Sequence, residues 1–137
     1  MNQFQILFFV LFSSILLQAG SEAQPTVFAE GVISTGHEFT ISFTPDRNTL
    51  YFTRTFTNPR RAHIMRSEMK NGAWADPVRV EFSDAHWSDL DPMLSPDGKR
   101  LFFVSTRPVP GAKETENENM DIWAIDLKMT DGENLNT

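Results

Sequence analysis

Two stretches of this sequence repeat one another, and the repeat decides the fold. Residues 39–53 read FTISFTPDRNTLYFT and residues 90–104 read LDPMLSPDGKRLFFV, and the two align at an offset of 51 without a gap. A Pro-Asp pair falls on a Pro-Asp pair, and a Leu-aromatic-Phe run falls on another. Weaker matches follow downstream, pairing Ile64-Met65 with Ile122-Trp123 and Asn71-Gly72 with Asp131-Gly132. The chain therefore contains one unit of about 50 residues and most of a second.

Each unit is typical of antiparallel strands joined by tight turns. Phe39, Ile41 and Phe43 alternate with Thr and Ser residues, and this period of two predicts a half-buried strand. The TPDRN and SPDG segments that follow are turn sequences, because Pro sets the first φ, Asp accepts from nearby amides, and Gly or Asn tolerates a positive φ. The turn residues that define the repeat are Pro45, Asp46, Ser95, Pro96, Asp97 and Gly98.

The remaining strands follow from composition and turn signals. The first unit is predicted to continue with an aromatic-rich central strand at 50–56 and a third strand at 62–66. A hairpin turn at 71–72 and one short edge strand at 74–80 follow. Pro77 is tolerated in an edge strand because an edge N–H needs no partner. Residues 101–105 and 121–125 predict the corresponding strands of the second unit. Each unit is therefore expected to be a four-stranded meander, and no segment beyond the N-terminus has a helical period.

A four-stranded unit recurring every 40–50 residues or so is typical of a β-propeller blade. We therefore predict an all-β fold, a partial β-propeller of about two blades. A small β-sandwich is the alternative, but it gives no reason for the two motifs to recur in register. Propellers close with about four to eight blades, so this chain is expected to be a fragment or to assemble with another chain. The predicted segments are a signal peptide at 1–23, a lead-in at 24–36, a first repeat at 37–87 and a second, incomplete repeat at 88–137.

The N-terminus is typical of a cleavable secretory signal. Residues 6–17 read ILFFVLFSSILL, which is shorter than the roughly 20 apolar residues that span a bilayer and suits a signal peptide. Ser21-Glu22-Ala23 places small residues at positions −3 and −1, so cleavage is expected before Gln24. The alternatives are a membrane anchor or a buried helix. We expect a periplasmic or secreted protein with no transmembrane span after cleavage, and no thiol lipidation because the chain has no cysteine.

Charge and composition restrict the partners. Without residues 1–23, the chain carries 12 basic and 17 acidic side chains over 114 residues. Nucleic acid is not an expected partner, because phosphate binding needs a concentrated basic face. No disulfide can form, so an exported domain of this kind depends on its apolar core. Two open sheets would expose an unpaired edge and an apolar face, and we therefore expect the isolated chain to self-associate or to be unstable.

The second unit carries a family resemblance. Ser95-Pro96-Asp97-Gly98, preceded by Asp91-Pro92 and followed by a Leu-Phe-Phe strand, resembles the Pro-Asp repeat of TolB-like β-propellers. Residues 28–35, 71–78 and 121–123 resemble the lead-in, the linker between blades and the third strand of such exported proteins. The resemblance covers residues 27 to 127. The first unit departs from the pattern at Arg47, where the turn Gly is usual, and the linker is missing after Lys128.

This resemblance implies a binding role and no particular catalytic reaction. It implies a non-catalytic binding or scaffold module of the bacterial cell envelope, without a cofactor, whose partner is another envelope protein or the remainder of a propeller. One alternative is the propeller portion of a longer hydrolase such as a serine peptidase. Another is a metal- or glycan-binding propeller. The chain contains no Gly-x-Ser-x-Gly nucleophile motif.

One polar cluster is the candidate ligand site. The segment HWSDLD at 86–91 leads into the first strand of the second unit, and the innermost strand of a propeller blade lines the central channel. The candidate channel-facing residues are His86, Trp87, Asp89 and Asp91. The alternative is that Asp91 bonds backbone amides between blades. Trp87 is also the candidate for an exposed aromatic platform.

No metal site is expected from the titratable residues. His37, His63 and His86 do not pair at ligand spacing, and there is no thiol. An acidic run has carboxylates at alternate positions that suit Ca²⁺ but lacks EF-hand spacing, so a solvated loop is the favoured interpretation. That run comprises Glu114, Glu116, Glu118 and Asp121. Asp131-Gly132-Glu133 is likewise interpreted as a hairpin turn.

Export of the full chain in a bacterial host should remove residues 1–23. We expect an intact mass that begins at Gln24, because signal peptidase requires a small residue at the −1 position. Ala23→Trp is the matched variant and should leave the precursor unprocessed. Recovery of the whole 137-residue chain from the wild-type sequence would contradict the signal-peptide interpretation.

Overall fold

The computed structural model describes residues 23–57, 60–112 and 120–127. Several sequence predictions lie outside these ranges: the signal peptide up to residue 22, the turn at Asp131-Gly132, the end of the second repeat, and Glu114, Glu116 and Glu118. No helix in the described ranges is long and apolar enough to cross a membrane.

The described chain consists of β-strands paired antiparallel in two sheets. The first sheet contains β1 (Glu38–Phe43), β2 (Thr49–Thr57), β3 (Arg60–Lys70), β4 (Ala73–Trp74) and β5 (Val78–Arg79). The second contains β6 (Asp89–Leu94), β7 (Arg100–Ser105) and β8 (Asp121–Asp126). The order is β1-β2-β3, with β4 and β5 both on β3, and β6-β7-β8. The all-β prediction is confirmed, and neither sheet closes into a barrel within the described ranges.

The end of the first unit differs in one detail from the prediction. Asn71-Gly72 forms the expected hairpin, with φ of 53° and 80°, and Lys70 pairs with Ala73 across it. The single edge strand predicted at 74–80 is wrong, because β4 and β5 are two separate short strands. Pro77 lies between them and has no N–H to continue the ladder.

The two Pro-Asp turns have the same hydrogen bonds. In the second unit the Ser95 hydroxyl donates to Oδ1 of Asp97 at 2.6 Å, and that oxygen accepts the Lys99 N–H at 3.0 Å. The first unit repeats both bonds, again at 2.6 and 3.0 Å, with Thr44, Asp46 and Asn48. In each turn the hydroxyl donor contributes most to lowering the pKa of the aspartate below its usual value.

A β-bulge occurs at the same repeat position in each unit. The ladder register shifts after Phe39 in β1 and after Leu90 in β6. Within each bulge one residue adopts a positive φ, 48° at Thr40 and 53° at Asp91. These two residues lie 51 positions apart, so the repeat found in the sequence extends to the backbone conformation.

The bulge overturns the predicted alternation of β1. Phe39 pairs with Thr53, whereas Ile41 pairs with Phe52, so the two apolar side chains lie on opposite faces of the sheet. Both of them and Phe43 remain exposed. The prediction of a half-buried strand with one apolar face is therefore wrong, because the extra residue of a bulge reverses the face of every residue beyond it.

The main apolar cluster lies between the two sheets. Tyr51 and Ile64 of the first sheet pack with Leu101 and Phe103 of the second, and Val80 belongs to the same cluster. Strands β1, β2 and β3 all lie against β6. Burial raises the pKa of the Tyr51 phenol. This cluster joins the two repeat units into one packed body.

The opposite face of the first sheet is covered by the lead-in. Leu50, Phe52 and Met65 form a second buried cluster with Ile33, which is 3% exposed. Other lead-in residues, Ala29 and Val32, pack against the same cluster. The lead-in therefore supplies the cover that this face of the first sheet would otherwise lack.

Substitution of Gly98 tests the contact between the two Pro-Asp turns. Gly98 has φ of 71°, and a Cβ there would lie 2.6 Å from Cδ of Pro45. We expect Gly98→Ala to lower the free energy of unfolding by about 2 kcal/mol, since an L-residue in this conformation costs roughly 1–2 kcal/mol before any clash. Urea unfolding followed by tryptophan fluorescence measures it.

The matched control is the same position of the first unit. Arg47 has φ of 59° without being glycine, so Arg47→Gly relieves strain while adding freedom to the unfolded chain. We expect a change within about 1 kcal/mol. An unfolding midpoint of Gly98→Ala equal to that of the wild type would contradict the close contact between the turns.

Candidate functional site

The structure separates the candidate residues at 86–91 into different environments. His86 is exposed, and its Nδ1 lies 2.5 Å from Oδ1 of Asp84, which also accepts the His86 N–H at 2.7 Å. These bonds, the backbone one first, hold the pKa of Asp84 below its usual value. Trp87 is half-buried. His86 and Asp84 thus form a local turn at the surface, ahead of β6.

Asp89 is fully buried and ion-paired. It is 0% exposed, and its two carboxylate oxygens lie 2.8 and 2.9 Å from Nη2 of Arg107. The same nitrogen donates to the Phe82 carbonyl at 2.9 Å. The guanidinium carbon lies 5.1 Å from the ring centre of Phe103 and 5.4 Å from that of Trp123. This geometry makes Asp89 the anchor of Arg107, because both carboxylate oxygens bond to the guanidinium.

Asp91 lies in the seam between the sheets. Its Oδ1 accepts a hydrogen bond from the Thr40 hydroxyl at 2.6 Å, and its N–H donates to Oγ1 of Thr53 at 3.0 Å. Nearby, the N–H of Leu94 donates to Oγ of Ser42 at 3.0 Å. Three bonds therefore join β6 to the first sheet, two of them from β6 backbone groups to hydroxyls of β1 and β2. Asp91 is also exposed, so this contact between the sheets lies at the protein surface.

The described geometry thus divides the predicted site. Asp89 is enclosed with Arg107, and Asp91 bonds to the neighbouring unit at the surface. That these residues line a channel and contact a ligand stays a prediction. Sequence reasoning missed Arg107, because at the offset of 51 it falls on Phe56 and is not part of the repeat. The repeat alignment could have identified Thr40, since it occupies the same repeat position as Asp91.

His63 is the buried histidine of the first sheet. Its side chain lies under the surface with its ring 5.4 Å from the ring of Phe56, and its Nδ1 has no hydrogen-bond partner. Burial lowers its pKa, and the positive charge of Arg79 acts in the same direction. Both effects disfavour the charged form of the imidazole. Within the described ranges there is no group of three or more His, Asp or Glu side chains placed to hold a metal ion.

Two open depressions mark the described surface. One includes Ser95, Asp97 and Asp126 in its lining, with no histidine. The other includes His37 and Glu38, with no serine. Neither depression therefore combines a serine with a histidine base, the pair that acyl-transfer chemistry of the triad type uses.

Trp74 and Trp123 take part in packing. Trp74 lies against Phe28 and Phe43, with ring centres 6.1 and 5.9 Å apart, and Trp123 packs on the cluster between the sheets. Compared with known proteins, the chain matches no protein-family model and no curated protein. The resemblance to TolB-like propellers therefore stays a prediction made from the residues.

Removal of the Arg107 side chain tests the buried ion pair. Arg107→Met leaves the Asp89 carboxylate buried without its partner, and we expect the free energy of unfolding to fall by about 3–5 kcal/mol. The double variant Asp89→Leu/Arg107→Met removes both charges and should recover part of that loss. Urea denaturation of the three proteins gives the comparison.

The exposed ion pair of the same sheet provides the control. Arg100 Nε lies 2.6 Å from Oδ1 of Asp126, and both side chains are exposed. Arg100→Met should change stability little, because solvent and salt screen such pairs. Equal losses for Arg107→Met and Arg100→Met would contradict a special role for Arg107.

Proposed function

We propose that this chain is a non-catalytic, exported binding or scaffold module of the bacterial cell envelope, built on the blade repeat of a TolB-like β-propeller. The observation that carries the proposal is the relation between the two sheets. They share turn hydrogen bonds and bulges at an offset of 51. Their inner strands, β1 and β6, are bonded side by side.

The direction of stacking favours a propeller over a sandwich. Leu101 and Phe103 face the first sheet, whereas their repeat equivalents Leu50 and Phe52 face away from the second. The sheets thus pack with unlike faces together, in a head-to-tail sense that can continue from unit to unit. Two copies of a motif related by a twofold axis would instead join like faces.

Binding, rather than catalysis, agrees with the chemistry at the seam. Asp89 is neutralised by Arg107, and neither surface depression joins a serine to a histidine. Strand β1 instead presents exposed apolar groups on its two faces, Phe39 on one and Ile41 on the other, beside the polar pair Thr40 and Asp91. Apolar side chains next to a few polar groups are typical of surfaces that bind other proteins.

Site-specific photo-crosslinking in the native cells tests the proposal. A photoreactive phenylalanine analogue at position 41, on β1, should give an adduct with a different envelope protein, identified by mass spectrometry. The matched control is position 78 on β5, whose valine is similarly exposed but lies away from the inner strands, and it should give none. Adducts of equal yield at both positions, or no adduct at position 41, would contradict an inner-strand binding surface.

A further inference from the structure

Among the described residues, the outer face of the second sheet is apolar and no segment covers it. Met93 is 64% exposed, Phe102 37% and Ile122 79%, and Ala124 is also exposed. Strand pairing places them side by side: Met93 is opposite Phe102, Phe102 is opposite Ala124, and Ile122 is opposite the half-buried Val104. An apolar patch that continues across three strands marks an interaction surface more often than a solvated one.

Charged groups lie at one end of this face and do not interrupt it. Arg100 and Asp126 are opposite each other on β7 and β8, and their side chains form an ion pair. The residues that follow on the same face of each strand are apolar. A partner that covers the face therefore meets aliphatic and aromatic groups, with one charge pair at the rim, which is the arrangement of an interface core and its border.

The same surface of the repeat is already buried once in this molecule. At the offsets of 51 and 58, Phe102 and Ile122 correspond to Tyr51 and Ile64. In the first sheet that surface is covered by the second sheet, through the cluster containing Leu101. Continuity with this internal interface indicates that the outer face of the second sheet is also one that a sheet covers.

The polar part of the internal interface is missing on the outer face. The hydroxyls of Ser42 and Thr53 accept N–H groups of the second sheet. Their repeat equivalents are Met93 and Val104, which cannot accept hydrogen bonds in this way. The outer face therefore suits a partner whose surface is apolar and has no free backbone N–H groups that need an acceptor.

A second copy of the chain offers one such surface. Its inner face is buried between the sheets, and the outer face of its first sheet is occupied by the lead-in, where Ile33, Leu50 and Phe52 are buried. Among the described sheet faces, the one without a covering segment is again that of β6, β7 and β8. We infer that two chains associate through this face, like on like around a twofold axis, as two sheets of a β-sandwich. The inference stands apart from the proposed function, since it concerns a different surface from the inner strands.

Light scattering of the processed chain, from residue 24 onward, tests this inference. At micromolar concentrations we expect the mass of a dimer for the wild type and of a monomer for Ile122→Glu, because a buried carboxylate facing an apolar sheet is unfavourable. The matched control is Val78→Glu, at a residue of the first sheet that is 58% exposed, and it should stay dimeric. Circular dichroism checks that each variant keeps its strands.

A second pair of variants keeps the test independent of any general loss of solubility. Ile122→Lys should also be monomeric, whereas Ile122→Leu, which keeps an apolar side chain of the same size, should stay dimeric. A monomeric wild type would overturn the inference. So would a mass that grows without limit with concentration, which indicates head-to-tail addition, or a loss of the dimer in Val78→Glu equal to that in Ile122→Glu.

Discussion

Each sheet of this protein carries apolar side chains on both faces, and in the first sheet both faces are covered. In the first sheet, Tyr51 and Ile64 point one way while Leu50 and Phe52 point the other. Neither face can be left in water without losing roughly 1.5–3 kcal/mol for each large side chain. The second sheet covers one face and the lead-in covers the other. The positions of the lead-in and of the second sheet follow from this requirement.

The hydrogen bonds between the two sheets fix how the sheets are oriented against each other. Apolar contact alone is non-directional, so it would allow the sheets to slide or rotate. The hydrogen bonds from Asp91 and Leu94 to hydroxyls of the first sheet set the register, and the bulges at Thr40 and Asp91 bring those groups into position. A non-glycine residue with positive φ is strained. Here the strained conformation occurs at the same repeat position in both units, at Thr40 and Asp91, and these two residues hydrogen-bond to each other.

The Arg107–Asp89 pair plays a related part inside the second unit. Arg107 spans from the end of β7 to the start of β6, and it also reaches the Phe82 carbonyl in the connection from the first unit. Its guanidinium stacks against Phe103 and Trp123. One side chain thus holds together the segment that enters the second sheet, its first two strands and the cluster between the sheets. Of the candidate ligand residues at 86–91, Asp89 is part of this anchor.

Local chemistry in the sequence determined the turns and the strands, whereas tertiary packing decided the faces and the site. The Pro-Asp turns, the Asn71-Gly72 hairpin and the central strands were predictable, because each depends on φ preferences and side-chain period within a few residues. The exposure of apolar side chains on both faces of β1 was not, since it depends on the bulge at Thr40, where the hydroxyl bonds to Asp91 of the other unit. Asp89 was predicted as a channel-facing residue, and that stays a prediction; the structure shows it buried and paired with Arg107. Its role could not be read from the sequence, because its partner Arg107 lies 18 residues away, outside the repeat, and meets it only when β6 and β7 pair.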